Sequence, residues 1–178
     1  MRKILVVVDM QNDFIDGALG TKEAEQIVGA VREKIRSYPV QNVYVTMDTH
    51  GDNYMETQEG ANLPVPHCIR GTQGWELHPE LEPLLKDAHI YEKPTFGSTL
   101  LAEDLQALSE LEGQKKLAIE MVGLCTDICV VSNALLLKAF MPEVPICVDA
   151  ACCAGVTPEK HLAALETMRS CQIEVKNA

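Results

Sequence analysis

Short apolar runs alternate with helix-forming segments along nearly the whole of this chain, and that alternation constrains its fold more than any other feature. Residues 4–8 (ILVVV) form an unbroken aliphatic run, the pattern of a strand buried on both faces. Similar short runs follow at 43–46, 89–91, 117–122, 146–148 and 173–175. Between them lie amphipathic stretches with start signals. Thr21 can cap a helix reaching about Ser37, with Glu23 in its first turn and Ile27, Val31 and Ile35 at i+4. Ser98 can cap a second, with Leu101, Leu105 and Leu108 on one face, and Thr157-Pro158-Glu159 opens another that carries Leu162, Leu165 and Met168. A helix is expected over 126–140 with an unusually apolar surface, covered on more than one side, a partner subunit being one source of cover. A short helix is expected at 81–85. The one break in the pattern is residues 48–79, rich in glycine and proline and without periodicity; loops that long in a compact domain are usually functional.

Strands that alternate with helices predict an α/β fold, a three-layer α/β/α arrangement around a six-stranded parallel sheet. At 178 residues and 47% hydrophobic content the chain is expected to form a single domain spanning 1–178. The formal net charge of −11, spread without an acidic block, disfavours nucleic acid and anionic membrane as partners. No run approaches the roughly 18 apolar residues of a membrane span, and the start MRKILVVVD reads as a first strand rather than a signal peptide. Seven cysteines, an odd number with several in strand-like runs and no CxxC, fit free thiols in a reducing cytosol, so a cytoplasmic location is expected.

Parallel α/β sheets bind ligands beyond the carboxyl ends of their strands. The residues that follow each predicted strand are Asp9 after the first, Asp48 and His50 after the second, Lys93 after the third, Cys129 after the fourth and Asp149 after the fifth. An acid, a cation, a thiol and metal-ligand types thus converge on one rim. Cys129 falls in the first turn of a helix, where unpaired N–H groups and the helix dipole are expected to lower its pKa and favour the thiolate. Asp9 at a buried strand end can act as the base for that thiol, Lys93 can hold the charges, and backbone N–H groups around Cys125 and Cys129 can form an oxyanion hole. Taken singly, each residue has an ordinary reading: a turn cap, a solvated charge, a core thiol. Their joint placement favours the nucleophilic set.

Asp48-x-His50, with His67 from the irregular stretch, has the types and spacing for a metal that keeps open positions, such as zinc, iron or manganese; Glu59, or less readily Glu56, can add an oxygen ligand. Two loop histidines making hydrogen bonds are the alternative. Phe14 can wall a pocket or pack in the core. Trp75 can serve a lid or plain packing. Asp13 and Asp16 shape the NDFIDG turn, Cys152 and Cys153 read as tight packing near the rim, and His78 and His161 read as ordinary helix-flanking residues.

VVVDMQNDFIDG, the TMDTH…PHCIRGTQGWELHP block, EKPTFGST and GLCTDICV together resemble the signature segments of the isochorismatase-like cysteine hydrolases, closest to their nicotinamidase branch, over residues 4–155. The resemblance implies that Cys129 is the nucleophile, Asp9 the general acid/base and Lys93 the catalytic lysine. It also implies a cis Leu124–Cys125 peptide, an oxyanion N–H from Cys125 and a substrate pocket with Phe14 and Leu124. Asp48, His50 and His67 match the metal ligands of nicotinamidases, with Glu59 as a fourth, and zinc as the first expectation. Assembly as a dimer or tetramer is implied as well. One departure is that Pro64 stands where many nicotinamidases carry a pocket-wall tryptophan, three residues before the second metal histidine. The activity implied is hydrolysis of a small carboxamide, nicotinamide to nicotinate and ammonia, through a thioester. The alternatives are hydrolysis of another small amide or carbamoyl compound, and a catalytically silent small-molecule or metal-binding module. A phospho-acceptor domain, which would need an acidic pair near the first strand and neither thiol nor histidines, fits less well.

Overall fold

The computed structural model describes residues 1–113 and 116–178. Its centre is a six-stranded sheet, all pairs parallel, in the order β3-β2-β1-β4-β5-β6. The strands are β1 (Arg2–Val8), β2 (Val43–Asp48), β3 (His89–Lys93), β4 (Leu117–Leu124), β5 (Ile146–Ala154) and β6 (Glu174–Lys176). The helices are α1 (Asn12–Ile15), α2 (Lys22–Arg36), α3 (Gln58–Asn62), α4 (Glu82–Leu85), α5 (Thr99–Glu112), α6 (Val131–Phe140) and α7 (Pro158–Ser170).

Alternation along β1 explains the three layers. Ile4, Val6 and Val8 point into one core with Leu101 and Leu105 of α5, Ala134 and Leu137 of α6, and Leu165 and Met168 of α7. Leu5 and Val7 point the other way, onto Ile27, Val31 and Ile35 of α2. Each strand residue from Ile4 to Val8 is fully buried, as a strand covered on both faces must be. The predicted caps form: Thr21 accepts from Ala24 N–H at 3.1 Å, Ser98 from Leu101 N–H at 3.2 Å and Thr157 from Lys160 N–H at 3.3 Å.

Three local features differ from the sequence reading. Residues 48–79 hold a short capped helix, α3, in which Thr57 Oγ1 accepts from Gly60 N–H at 3.0 Å. The segment expected as one helix over 126–140 begins instead with a π turn, Thr126–Val130, before α6. As expected, α6 is covered on more than one side, by α5 and α7, with Leu135 and Leu136 half-buried against the core. Asp149 does not lie on the rim. β5 continues past it to Ala154, and its carboxylate pairs with Lys34 at 2.6 Å, which also holds Glu120 at 2.9 Å.

The centre of the sheet is tightly closed where the site begins. Gly123, at φ +118°, lies so near β1 that a Cβ would stand 2.1 Å from the Val8 carbonyl oxygen. Only glycine fits there. The sheet therefore brings the ends of β1 and β4 together, and with them Asp9 and the segment that leads to Cys129.

Candidate active site

Asp9 is the first residue beyond β1, held at φ +47° with its N–H bonded to the Thr46 carbonyl at 3.1 Å. Asp48 and Lys93 close β2 and β3 and are partners in the ladder register. Lys93 is almost wholly buried at 1% exposure, and its Nζ is 2.7 Å from Asp9 Oδ2, 3.4 Å from Cys129 Sγ and 3.5 Å from Asp48 Oδ1. One ammonium thus faces three groups that are or can become anions. Asp9 itself is fully buried, and Thr46 Oγ1 donates to its Oδ1 at 2.6 Å. Its Oδ2 lies against the ammonium without a directed hydrogen bond from it, leaving a lone pair for another donor, and the Cys129 thiol stands within reach.

Burial sets the protonation chemistry. It raises the Asp9 carboxyl above its ordinary value, with Lys93 pulling down and Asp48 pushing up. The Cys129 thiol, expected to be acidified by a helix start, is instead pushed well above its ordinary value, by desolvation first and by Asp9 next, with Lys93 opposing. At 4% exposure the loss of solvation outweighs a partial dipole charge. Lys93 is raised despite its burial, since Asp9, Cys129 and Asp48 all favour its charged form. The resting trio is an Asp9–Lys93 ion pair beside a neutral thiol.

The π turn shapes the backbone around that thiol. The Cys125 carbonyl accepts from Ile128 N–H at 3.0 Å and from Val130 N–H, five residues on, at 3.1 Å. An ordinary α-turn would have placed Cys129 N–H on that carbonyl. The wider turn withdraws it from that role, as π turns at functional sites do. Just before the turn, the Leu124–Cys125 peptide is cis, as expected. The Cys125 thiol is buried enough to be pushed up to about 12.

Beside the trio, Asp48, His50, Glu59 and His67 each offer a ligand atom, all within 4.8 Å of one another. His50 Nε2 and His67 Nε2 lie 3.0 and 3.4 Å from Asp48 Oδ2, and both lie 3.7 Å from Glu59 Oε1. The donor set fits a divalent metal. His67 Nδ1 is bonded to the Val65 carbonyl at 2.9 Å, which places the proton on Nδ1 and leaves the Nε2 lone pair aimed at the cluster. Asp48 is held well below the usual carboxylate range despite its burial, by the His50 and His67 imidazoles beside it and by the charge of Lys93.

The thiol, Asp48, Glu59 and His67 all open onto one cavity of about 530 Å³. Its walls include Phe14, whose ring meets that of His67 edge-on at 5.5 Å, with Leu63 and Phe96 near the mouth. Leu124, expected in the pocket, does not line it. Its side chain points into the core beneath α2 and is fully buried. Pro64 does not line the cavity either; its neighbour Leu63 does. Trp75 packs at the flank, donating to Thr49 Oγ1 at 2.9 Å, under the guanidinium of Arg70.

Two supporting residues escaped the sequence reading. Gln11, fully buried, donates to the Asp48 and Trp75 carbonyls and accepts from Asp48 N–H, each at 2.8 Å, so it fixes the strand end that bears Asp48. Asp13 Oδ2 accepts from Cys68 N–H at 2.8 Å, tying the NDFIDG turn to the chain next to His67. A polar residue two positions after a buried acid was the available signal for Gln11. Asp13 had none beyond its turn.

A family model described as the isochorismatase domain matches residues 3–178. The chain is 28% identical over 183 residues to the nicotinamidase/pyrazinamidase of Mycobacterium tuberculosis, covering 97% of each. Among solved structures it resembles the nicotinamidase/pyrazinamidase PncA of Bacillus subtilis, with TM-score 0.78 and 28% identity over 99% of this chain and all of that one. It also resembles the pyrazinamidase of Pyrococcus horikoshii in complex with zinc, with TM-score 0.77 and 27% identity over 98% of each chain. The chain belongs to the isochorismatase family.

Proposed function

We propose that this isochorismatase-family amidohydrolase cleaves nicotinamide, or a ring carboxamide of similar size, to the acid and ammonia through a thioester on Cys129. The observation that carries the reading is the placement of one buried ammonium, 2.7 Å from Asp9 Oδ2 and 3.4 Å from Cys129 Sγ. The names of the relatives from Mycobacterium tuberculosis and Bacillus subtilis support the choice of substrate.

Asp9 takes the thiol proton as Cys129 Sγ bonds to the carboxamide carbon. Lys93 faces the Asp9 carboxylate before the transfer and the developing thiolate during it, until the charge passes to the carbonyl oxygen as the C–S bond forms. The net charge of the buried trio and the reacting carboxamide together therefore stays constant, which a site of low dielectric requires. With the thiol pushed above its ordinary value, sulfur gives up its proton on meeting the substrate rather than in the free enzyme. Charge on the carbonyl oxygen is held by the backbone N–H groups of Cys125 and Cys129. The C–N bond then breaks while protonated Asp9 returns its proton to nitrogen, and ammonia leaves. Water, giving a proton to Asp9, attacks the thioester carbon; the C–S bond breaks, and the thiol regains that proton as the acid is released.

Asp48, His50 and His67, with Glu59, would hold a divalent metal, zinc first and iron or manganese otherwise. When bound, such a metal supplies a coordination position for a ring nitrogen of the substrate. Phe14 would wall the ring. No helix among the described residues is long and apolar enough to cross a membrane. A cytoplasmic enzyme forming a dimer or tetramer completes the reading, with light scattering as the check on assembly.

An ammonia-release screen of nicotinamide, pyrazinamide and small ureido or carbamoyl compounds, run on the wild type and Cys129→Ala, tests the proposal. Release from nicotinamide that disappears in the folded variant is expected. Substantial turnover by Cys129→Ala overturns the mechanism, and release from none of the compounds favours a silent binding module.

A further inference from the structure

The turn that carries Cys129 is held by side chains that the proposed chemistry does not use. A π turn is a rare conformation, and no side chain caps this one from Cys125. Its first two residues reach outward instead, Thr126 to the first turns of α7 and Asp127 to the segment that joins β5 to α7. Thr126 is fully buried, and its Oγ1 lies 2.8 Å from Nδ1 of His161. Asp127 Oδ1 accepts from Val156 N–H at 2.9 Å. Gly155 permits this approach, since a Cβ there would stand 2.7 Å from His161 N and 2.9 Å from Asp127 Oδ1. The anchor is firm, because His161 N–H bonds to the Thr157 carbonyl at 3.0 Å in the capped first turn of α7. On the other side of the turn, buried Asn133 donates to the Cys129 carbonyl at 2.8 Å.

We propose that His161 is a positioning residue that acts through Thr126. Their hydrogen bond fixes the π turn so that the Cys129 sulfur stays against Lys93 and Asp9. His161 does not line the cavity and would touch neither substrate nor the reacting atoms. Its ring is held below the ordinary histidine range by burial, with Asp127 opposing, so a neutral imidazole faces the threonine hydroxyl. Losing the bond frees the first residue of the turn, while the walls supplied by other elements, Phe14, Leu63 and Phe96 among them, stay in place. The loss should therefore fall on the rate of attack and not on substrate binding. A displacement of about 1 Å in a nucleophile can cost up to roughly 100-fold in rate.

The inference rests on Cys129 being the nucleophile, and two readouts keep the two readings apart. Turnover of nicotinamide is measured for wild type, Thr126→Val, Thr126→Ser, His161→Phe and the Thr126→Val/His161→Phe double variant, each with its melting temperature. In parallel, iodoacetamide labelling of Cys129 is followed by peptide mass spectrometry, which needs no substrate. Thr126→Val and His161→Phe are each expected to lower kcat about tenfold with KM within about twofold, and to slow labelling in step. The double variant should be no slower than the worse single one, because a shared bond is lost only once. Thr126→Ser, which keeps the hydroxyl, should restore kcat to within about twofold of wild type. Unchanged kcat and labelling in Thr126→Val overturns the proposal. So do losses that multiply in the double variant, or losses that track melting temperature in every variant including Thr126→Ser. A wild type that releases no ammonia defeats the functional reading, while the labelling rates still decide the role of His161.

Discussion

Lys93→Met removes one charge from the centre of the site and keeps most of the side-chain volume. In the wild type the ammonium stands 2.7 Å from Asp9 Oδ2, and Asp9 is fully buried, with the Thr46 hydroxyl donating to its Oδ1. Breaking a buried pair from one side typically costs about 3–5 kcal/mol, because the remaining charge is stranded. The pH dependence has a definite sign. The folded pKa of Asp9 lies above its unfolded value, so ionised Asp9 opposes folding, and that penalty grows as pH rises through the folded pKa. Without Lys93, which pulls it down, the folded pKa climbs further. The loss in Lys93→Met should therefore be greatest near about pH 8 and shrink towards about pH 5, where a neutral carboxyl needs no cation. Lys93 adds no slope of its own there, since its folded pKa lies above its unfolded one and its contribution fades only in strong alkali. Urea unfolding of both proteins at the two pH values measures the difference. The expectation is about 3–5 kcal/mol at the higher pH and at least about 1 kcal/mol less at the lower. Equal losses at both, or a loss under about 1 kcal/mol at the higher, would refute this account of the buried trio.

Lys34→Met leaves Asp149, only 3% exposed at its side chain, without its cation, and should cost about 2–4 kcal/mol by urea unfolding at neutral pH. Asp149 and Glu120 both have lowered folded pKa values, so their contribution exists above the unfolded values and vanishes as pH falls through the folded ones; the variant's deficit should disappear in acid. Gly123→Ala forces a Cβ to within 2.1 Å of the Val8 carbonyl oxygen at φ +118°, and thermal melting should reveal a loss above about 3 kcal/mol or no soluble protein. Elemental analysis of freshly purified protein should find about one divalent metal per chain, and His67→Ala, which removes one of four converging ligands, should lower the affinity at least about tenfold in competition with a chelator.

The parts of the fold that were readable in the sequence are those with a one-dimensional signature. The β1 run and the caps at Thr21, Ser98 and Thr157 declared themselves because burial on both faces and N-terminal capping leave local patterns. The meeting of Asp9, Asp48 and Lys93 was readable for a different reason: in a parallel sheet, position in the chain gives position on the rim. Where a strand's end was misjudged, that logic failed, and Asp149 was placed on a rim from which β5 carries it away. Helix α3 was missed because five residues are too few to show a period, although Thr57 with Glu59 two residues on was a capping signal. The π turn has no sequence signature. The acidity expected of Cys129 was wrong in sign, because the dipole at a helix start is a local feature while desolvation depends on the whole surrounding fold. Leu124 likewise sits beside the site in sequence but faces the core in space.

The central claim is that Cys129 becomes acylated. Wild-type protein mixed with nicotinamide and quenched in acid within the first turnovers should show one nicotinoyl group by intact mass, and peptide mapping should place it on Cys129. Hydroxylamine should remove that group, as it does from thioesters, and Asp9→Asn should fail to form it. Ammonia release with no such adduct at any quench time, or an adduct on Cys125 instead, would contradict the account.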